Sequence, residues 1–343
     1  MDLPERDIVG GIKPRPMPLH KPIRDIGVLL IPDFALMSYA CAVEPFRAAN
    51  KLSGEAHYRW RHISPDGGPV RASNGVSIAP DHTVGERMPI DLLVICAGGN
   101  PALFEDEATF AWLRRVARSG ALIAGISGGP FIMARAGLLD GYRCTIHWEH
   151  IPALAEAFPH LQLTNALYEI DRARLSCSGG TAALDMCHKI IEHDHGCDLA
   201  AEVVEWFIHT NLRPADGSQR LPVSERFAIR HSKLVQVLEV MEASLEDPLS
   251  IPALARMARL SPRQLGRLFR RHLQRSIGEH YRELRLRRAR IMLAQSTLSV
   301  LEIAVSCGFV SASHFSRAYR ARFGHPPSAE IVRRTEGLSD RLS

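Results

Sequence analysis

Arg263, Arg267 and Arg270 follow one another at i, i+4 and i+7, and Ser313, Arg317 and Arg320 repeat that spacing 50 residues later. In a helix with a period of 3.6 residues, such a row lies on one face. A guanidinium fork suits phosphate oxygens and the edge of guanine, which it meets through two parallel donors. Gln264, beside the first row, can pair with adenine through two contacts, and His314, beside the second, can make single bonds. Arg271 extends the first row. A different chemistry is written at Gly125-Ile126-Ser127-Gly128-Gly129, which satisfies G-x-S-x-G, the turn that lifts a nucleophilic serine out of a strand-to-helix junction. Such a serine needs a base, and His147, His150 and His160 are the nearest histidines in sequence. The same glycines also serve simply to let a helix pack close to a strand and to bind something at its N-terminus.

The arginine rows must sit on helices, and their neighbours supply them. Leu265, Leu268 and Phe269 face inward in one copy, Phe315, Ala318 and Tyr319 in the other. Each helix is preceded by a short apolar helix and a turn, as LARMARLSPRQLGRLFRRHL at 254–273 and IAVSCGFVSASHFSRAYRARF at 303–323. This is the sequence form of a helix-turn-helix, occurring twice. Leu254-Ala255 matches Ile303-Ala304 at a spacing of 49, whereas the later positions match at 50, so one residue is added in the second turn. Between the copies lies IGEHYRELRLRRARIMLA. It is apolar on two sides, with Tyr281, Leu284 and Ile291 on one and Leu286, Ala289 and Leu293 on the other. It is expected to bridge two small bundles and hold two reading heads for successive major grooves, about 34 Å apart.

Charge divides the chain in the same place. Residues 227–343 hold 20 Lys plus Arg against 10 Asp plus Glu, and residues 1–226 hold 22 against 27. A net +10 domain suits a polyanion, and its basic residues are all arginine except Lys233.

Residues 24–212 read differently. The runs IGVLLI (26–31), DLLVICAGG (91–99) and ALIAGI (121–126) alternate with helical stretches at 38–52 and 109–119, which predicts a parallel sheet covered by helices on both faces. Ligands in such folds sit beyond the carboxyl ends of the strands, which points to 32–34, 98–101 and 127–130. The polar, turn-rich segment 213–226 reads as a linker, and the Pro-rich residues 1–23 as an untethered leader without a signal-peptide core. No apolar run is long enough for a membrane span. Seven scattered cysteines without a C-x-x-C pair fit reduced thiols and a cytoplasmic location.

The region from about Leu234 to Val332, through the two quoted copies and ELRLRRARIML between them, resembles the DNA-binding domain of AraC/XylS-type transcription regulators. The resemblance implies that helices starting near Pro262 and Ala312 enter successive major grooves, and the domain is assigned to 227–336, with a tail at 337–343. Upstream, AGISGGPFIMARAGLLDGYRCTIHWEH, with VEPFRAAN and SGGTAALDM, resembles the PfpI branch of the class I glutamine amidotransferase-like, flavodoxin-like fold. The whole is then an α/β flavodoxin-like domain followed by an all-α domain with two helix-turn-helix motifs. Enzymes of that branch place cysteine at the elbow, histidine next to it and a glutamate near the first helix. Here Ser127 and Gly128 occupy the first two positions, and only Glu44 answers the third.

The paired resemblance implies a cytoplasmic regulator, an activator of catabolic genes, that binds promoter DNA as a homodimer, contacts RNA polymerase and needs no cofactor. Its effector would be a small nitrogen-containing metabolite such as arginine, glycine betaine, carnitine or a related methylated amine. The former active site becomes the expected effector pocket, built from Phe34, Glu44, Gly99, Asn100, Ser127, Gly128, Gly129, His147 and Trp148. In it Glu44 meets a cation, Trp148 offers a π face, and backbone N–H groups of 127–129 and 98–100 hold a carboxylate. Trp148 reads also as core packing, and Glu44 as a helix cap or a partner of Arg47. The rival function is a PfpI-like hydrolase or amidase tethered to DNA. His188, His193, His195 and Cys197 match no standard metal spacing, so no metal is expected. The apolar stripe Val203, Trp206, Phe207 reads as core or as a dimer contact.

Overall fold

A computed structural model describes residues 23–332. Residues 1–22, all of the expected leader but Ile23, and residues 333–343, with the expected tail, lie outside that range.

The N-terminal domain contains β1 (Arg24–Leu30), α1 (Leu36–Ser53), β2 (Tyr58–Ser64), the hairpin β3 (Val70–Arg71) and β4 (Ser77–Ile78), and β5 (His82–Thr83). Then follow β6 (Leu92–Ala97), α2 (Glu107–Arg118), β7 (Leu122–Ser127), α3 (Gly129–Arg135), β8 (Arg143–Cys144), α4 (Ile151–Ala157) and β9 (Gln162–Leu163). It closes with β10 (Tyr168–Asp171), β11 (Arg174–Cys177), α5 (Ala182–His195) and α6 (Cys197–Trp206). Seven strands form one sheet in the order β10-β11-β7-β6-β1-β2-β5, parallel except for the edge strand β10. The three apolar runs are its central strands. Their alternate residues feed two layers: Ile26, Val28 and Leu30 meet Phe46 and Met186, whereas Leu29 and Ile31 meet Leu113 and Phe131. Both faces are therefore buried, which is why the runs are continuously apolar rather than alternating.

The segment expected to be a free linker is pinned. Asp185 is 1% exposed and needs a counter-charge. Arg213 supplies it through Nε and Nη2 at 3.0 and 2.7 Å. Gln219 Nε2 donates to Thr145 Oγ1, Ile146 O and Ala166 O. The last part of the segment is helical, α7 (Val223–Arg226), and Val223 is buried with the C-terminal helices. Turn-forming composition gave no sign of these long-range partners.

The C-terminal domain continues with α8 (Ser232–Ala243), α9 (Ile251–Met257), α10 (Pro262–Leu273), α11 (Ile277–Gln295), α12 (Val300–Ser306) and α13 (Ala312–Phe323). It has two cores. Leu254, Leu265 and Phe269 gather with Tyr281 from the first half of α11. Ile303, Phe315 and Tyr319 gather with Leu286, Ala289 and Leu293 from its second half. The connector thus bridges two bundles as its double apolar pattern predicts, although Ile291 is only half-buried. Among the described residues no helix is long and apolar enough to cross a membrane.

Candidate functional site

The two arginine-bearing helices are built alike. Ser261 caps α10, its Oγ accepting from Gln264 N, and Ser311 caps α13 by accepting from His314 N. Leu265 and Phe269 are fully buried, as are Phe315 and Tyr319. Arg263, Arg267, Arg270 and Arg271 on α10, and Ser313, His314, Arg317 and Arg320 on α13, are all exposed. The left-handed residues in the turns, Arg259 and Gly308, correspond at the spacing of 49, and so do Leu260 and Phe309, whose N–H groups bond Ala255 and Ala304. The serine caps correspond at 50. The added residue is therefore Val310, which stands fully exposed at the head of α13.

Ion pairing sorts the arginines. Arg322 Nη2 and Arg287 Nε bond Glu283, Arg290 bonds Glu330, and Arg285 bonds Gly308 O and stacks on Phe309 at 4.7 Å. Among the described residues none of the six arginines of the two outer faces forms an ion pair, so their full donor sets face solvent and remain for a polyanion. Gln264 behaves differently from the adenine reader expected. Its Oε1 accepts from Ser261 N at 2.8 Å and closes a capping box, so in this structure its amide supports the helix start.

Glu283 ties α13 to α11, because it lies on α11 and takes two hydrogen bonds from Arg322 on α13. The bond from Arg322 brings its pKa down from 4.5 to about 2, against an opposing effect of burial and with help from Arg287. A depressed carboxylate pKa contributes stability that is whole above the unfolded value and is lost as pH falls toward the folded one. Thermal melts between pH 7 and pH 2 should therefore show Glu283→Gln less stable by about 1.5 kcal/mol at pH 7, with the deficit closing between pH 4.5 and 2. An equal deficit at both ends of that range would exclude the ion pair as its cause.

At the sheet end, Ser127 has φ 59°, a left-handed conformation unfavourable for a residue with a side chain, so the elbow is real. Its glycines let α3 close on the sheet: a Cβ on Gly129 would come within 2.2 Å of Ile95 O, and one on Gly125 within 2.7 Å of Met133 Sδ. The elbow is also covered. Gly179 packs so closely that a Cβ there would lie 2.7 Å from Ser127 Cβ and 2.8 Å from Ser38 Oγ. Ser38, buried on α1 and bonded by Gly180 N, is the helix residue at this point, and sequence reading missed it. Glu44 instead pairs with Arg47 through Nη2 at 2.6 Å and is substantially exposed.

Among the described residues no histidine hydrogen-bonds Ser127 Oγ: His160 bonds Asp140, and His150 Nδ1 donates to Gln295 Oε1 at 2.6 Å. His147 donates its backbone N–H to Ser127 O. Neighbouring thiols offer no substitute, because burial pushes Cys96 and Cys177 up to about 12. Of the proposed carboxylate donors, Gly128 N is spent on Ala97 O. Phe34 is fully buried, and Gly99 (φ 56°) packs on Asp33. Asn100 Nδ2 donates to Ala294 O at 2.5 Å. Two loops beside the elbow, one carrying Asn100 and the other His150, are thus bonded to the last turn of α11, the helix between α10 and α13. Burial lowers the pKa of His150 to about 4, with His147 adding to the effect, so its ring is neutral at pH 7.

Among the described residues no group of three or more His, Cys, Asp or Glu is placed to hold a metal. His188 bonds Ala200 O and His193 bonds Asp194.

The family of helix-turn-helix domains matches residues 254–331, and the DJ-1/PfpI family matches residues 26–193. The HTH-type transcriptional regulator GlxA of Rhizobium meliloti is 45% identical to this chain, covering 92% of it and 97% of its own length. The HTH-type transcriptional regulator CdhR of Pseudomonas aeruginosa is 44% identical, over 90% of this chain and 91% of its own. Among solved structures, an AraC family transcriptional regulator from Pseudomonas putida aligns with a TM-score of 0.48 and 26% identity, over 54% of this chain and 99% of its own.

Proposed function

The chain belongs to the family of HTH-type transcriptional regulators that join a DJ-1/PfpI domain to an AraC-type helix-turn-helix domain, and from that premise we propose a cytoplasmic, effector-responsive activator of catabolic genes. The effector class is a small nitrogen-containing metabolite. The observation that carries the reading is that α10 and α13 present unpaired arginines outward while the helix between them is bonded, through Gln295 and Ala294, to loops of the other domain. A ligand that moves those loops has a direct route to the spacing of the reading heads. Dimerisation through the end of α6 is supported by Trp206 and Ile208, which are 48% and 86% exposed, whereas Val203 of the same stripe is core.

The α/β domain acts as a sensor rather than a hydrolase. Among the described residues no base hydrogen-bonds its elbow serine, and without one a hydroxyl is a weak nucleophile. Ser127→Ala should leave effector-dependent transcription of a promoter selected with the full chain within about twofold of wild type, a change worth less than ~0.5 kcal/mol. Loss of regulation in that variant, together with amide or ester hydrolysis by the wild type, would establish the enzyme reading instead.

A further inference from the structure

We propose that a small zwitterion bearing an ammonium or methylammonium group and a carboxylate binds in the cleft between the two domains, its cation on the face of Trp148 and its carboxylate on Arg288. This rests on the effector-responsive reading above and names the site. The cleft encloses about 570 Å³, within the range of small-molecule pockets. Trp148, just ahead of α4, lies on one side, the segment around Gln219 and Arg220 crosses it, and α8 and α11 close the other.

Three features match a zwitterion. Trp148 already holds a cation, with the Arg220 guanidinium 4.8 Å from the ring centroid. Burial and then the charge of Arg226 lower the Arg220 pKa, so that cation is held there at some cost and a better-fitting one can replace it. Among the described residues Arg288 makes no ion pair, although its neighbours on α11, Arg287 and Arg290, both do, and its buried Nε has no acceptor there. Gln219 is fixed by three bonds from its amide nitrogen, which leave its buried Oε1 without a donor. A guanidinium with a buried, unmatched Nε, an orphaned carbonyl oxygen and an aromatic face are complementary to a molecule with both charges. A simple cation or anion answers only half of them.

The position gives binding a consequence. Trp148 lies two residues from His150, and Arg288 lies on the helix whose Gln295 bonds His150. A ligand bridging Trp148 and Arg288 would tighten or re-angle the junction that sets α10 and α13.

The test is calorimetric titration of the full chain with glycine betaine, L-carnitine and L-arginine. At least one should bind the wild type. Trp148→Ala and Arg288→Ala should each weaken it roughly tenfold or more, Trp148→Phe should keep most of the affinity, and Ser127→Ala should change nothing. Unchanged affinity in Trp148→Ala and Arg288→Ala, or a loss confined to Ser127→Ala, overturns the cleft and leaves the effector reading standing. No binding of any of the three to the wild type overturns both.

Discussion

Replacing Arg267 and Arg317 together by alanine should abolish site-specific DNA binding while leaving the fold and its melting temperature unchanged. Each arginine is exposed, lies one turn or more into its helix and forms no ion pair among the described residues, so removing it breaks nothing internal there. A bidentate base contact contributes about 1–3 kcal/mol of discrimination, and two contacts on separate helices add. The double variant should therefore lose roughly 2–6 kcal/mol of specific affinity and fall toward the salt-dependent background of non-specific binding. Each single variant should lose footprint protection in one half of the site. Arg287→Ala is the control: it removes the same charge, but from a side chain whose partner is Glu283. Footprints unchanged for both single variants would falsify the assignment of α10 and α13 as reading helices.

The outer faces were legible because the inward residues repeat at 3.6 and the copies repeat each other. What spacing could not separate was a free arginine from a committed one. Arg287, Arg290 and Arg322 look as available in the sequence as Arg267, and only long-range partners on other helices distinguish them. Gln264 is the instructive case, since S-x-x-Q immediately before an apolar-periodic run is a capping box. The motif recurs with glutamate at Ser276 and Ser299, so the signal for its structural role was present. In the other domain the three central strands and the elbow were legible as apolar runs and a glycine pattern. The contents of the pocket were not. Ser38 rather than Glu44 reaches the elbow because six residues along a helix turn through most of two revolutions and end on a different face. The linker contacts of Arg213 and Gln219 depend on buried acceptors far away in sequence, which composition does not register.

Phe315→Ala should unfold one reading head and spare the other. Phe315 is fully buried among Ile303, Leu293 and Tyr319, and Phe269 is equally buried in a separate cluster with Leu254 and Leu265. Truncating a buried phenylalanine costs about 3–5 kcal/mol, a large share of what a small bundle has to lose. The cores share α11 but draw on its opposite ends, Tyr281 for the first and Leu293 for the second. Local unfolding can therefore stop within that helix. Hydrogen exchange should show α12 and α13 unprotected, with α8, α9 and α10 still protected, and the DNA footprint should contract to one half-site. Phe269→Ala should give the mirror result for α10. If either variant instead strips protection from both bundles together, the domain is one cooperative unit, and the two heads cannot be tuned separately by the junction at Gln295.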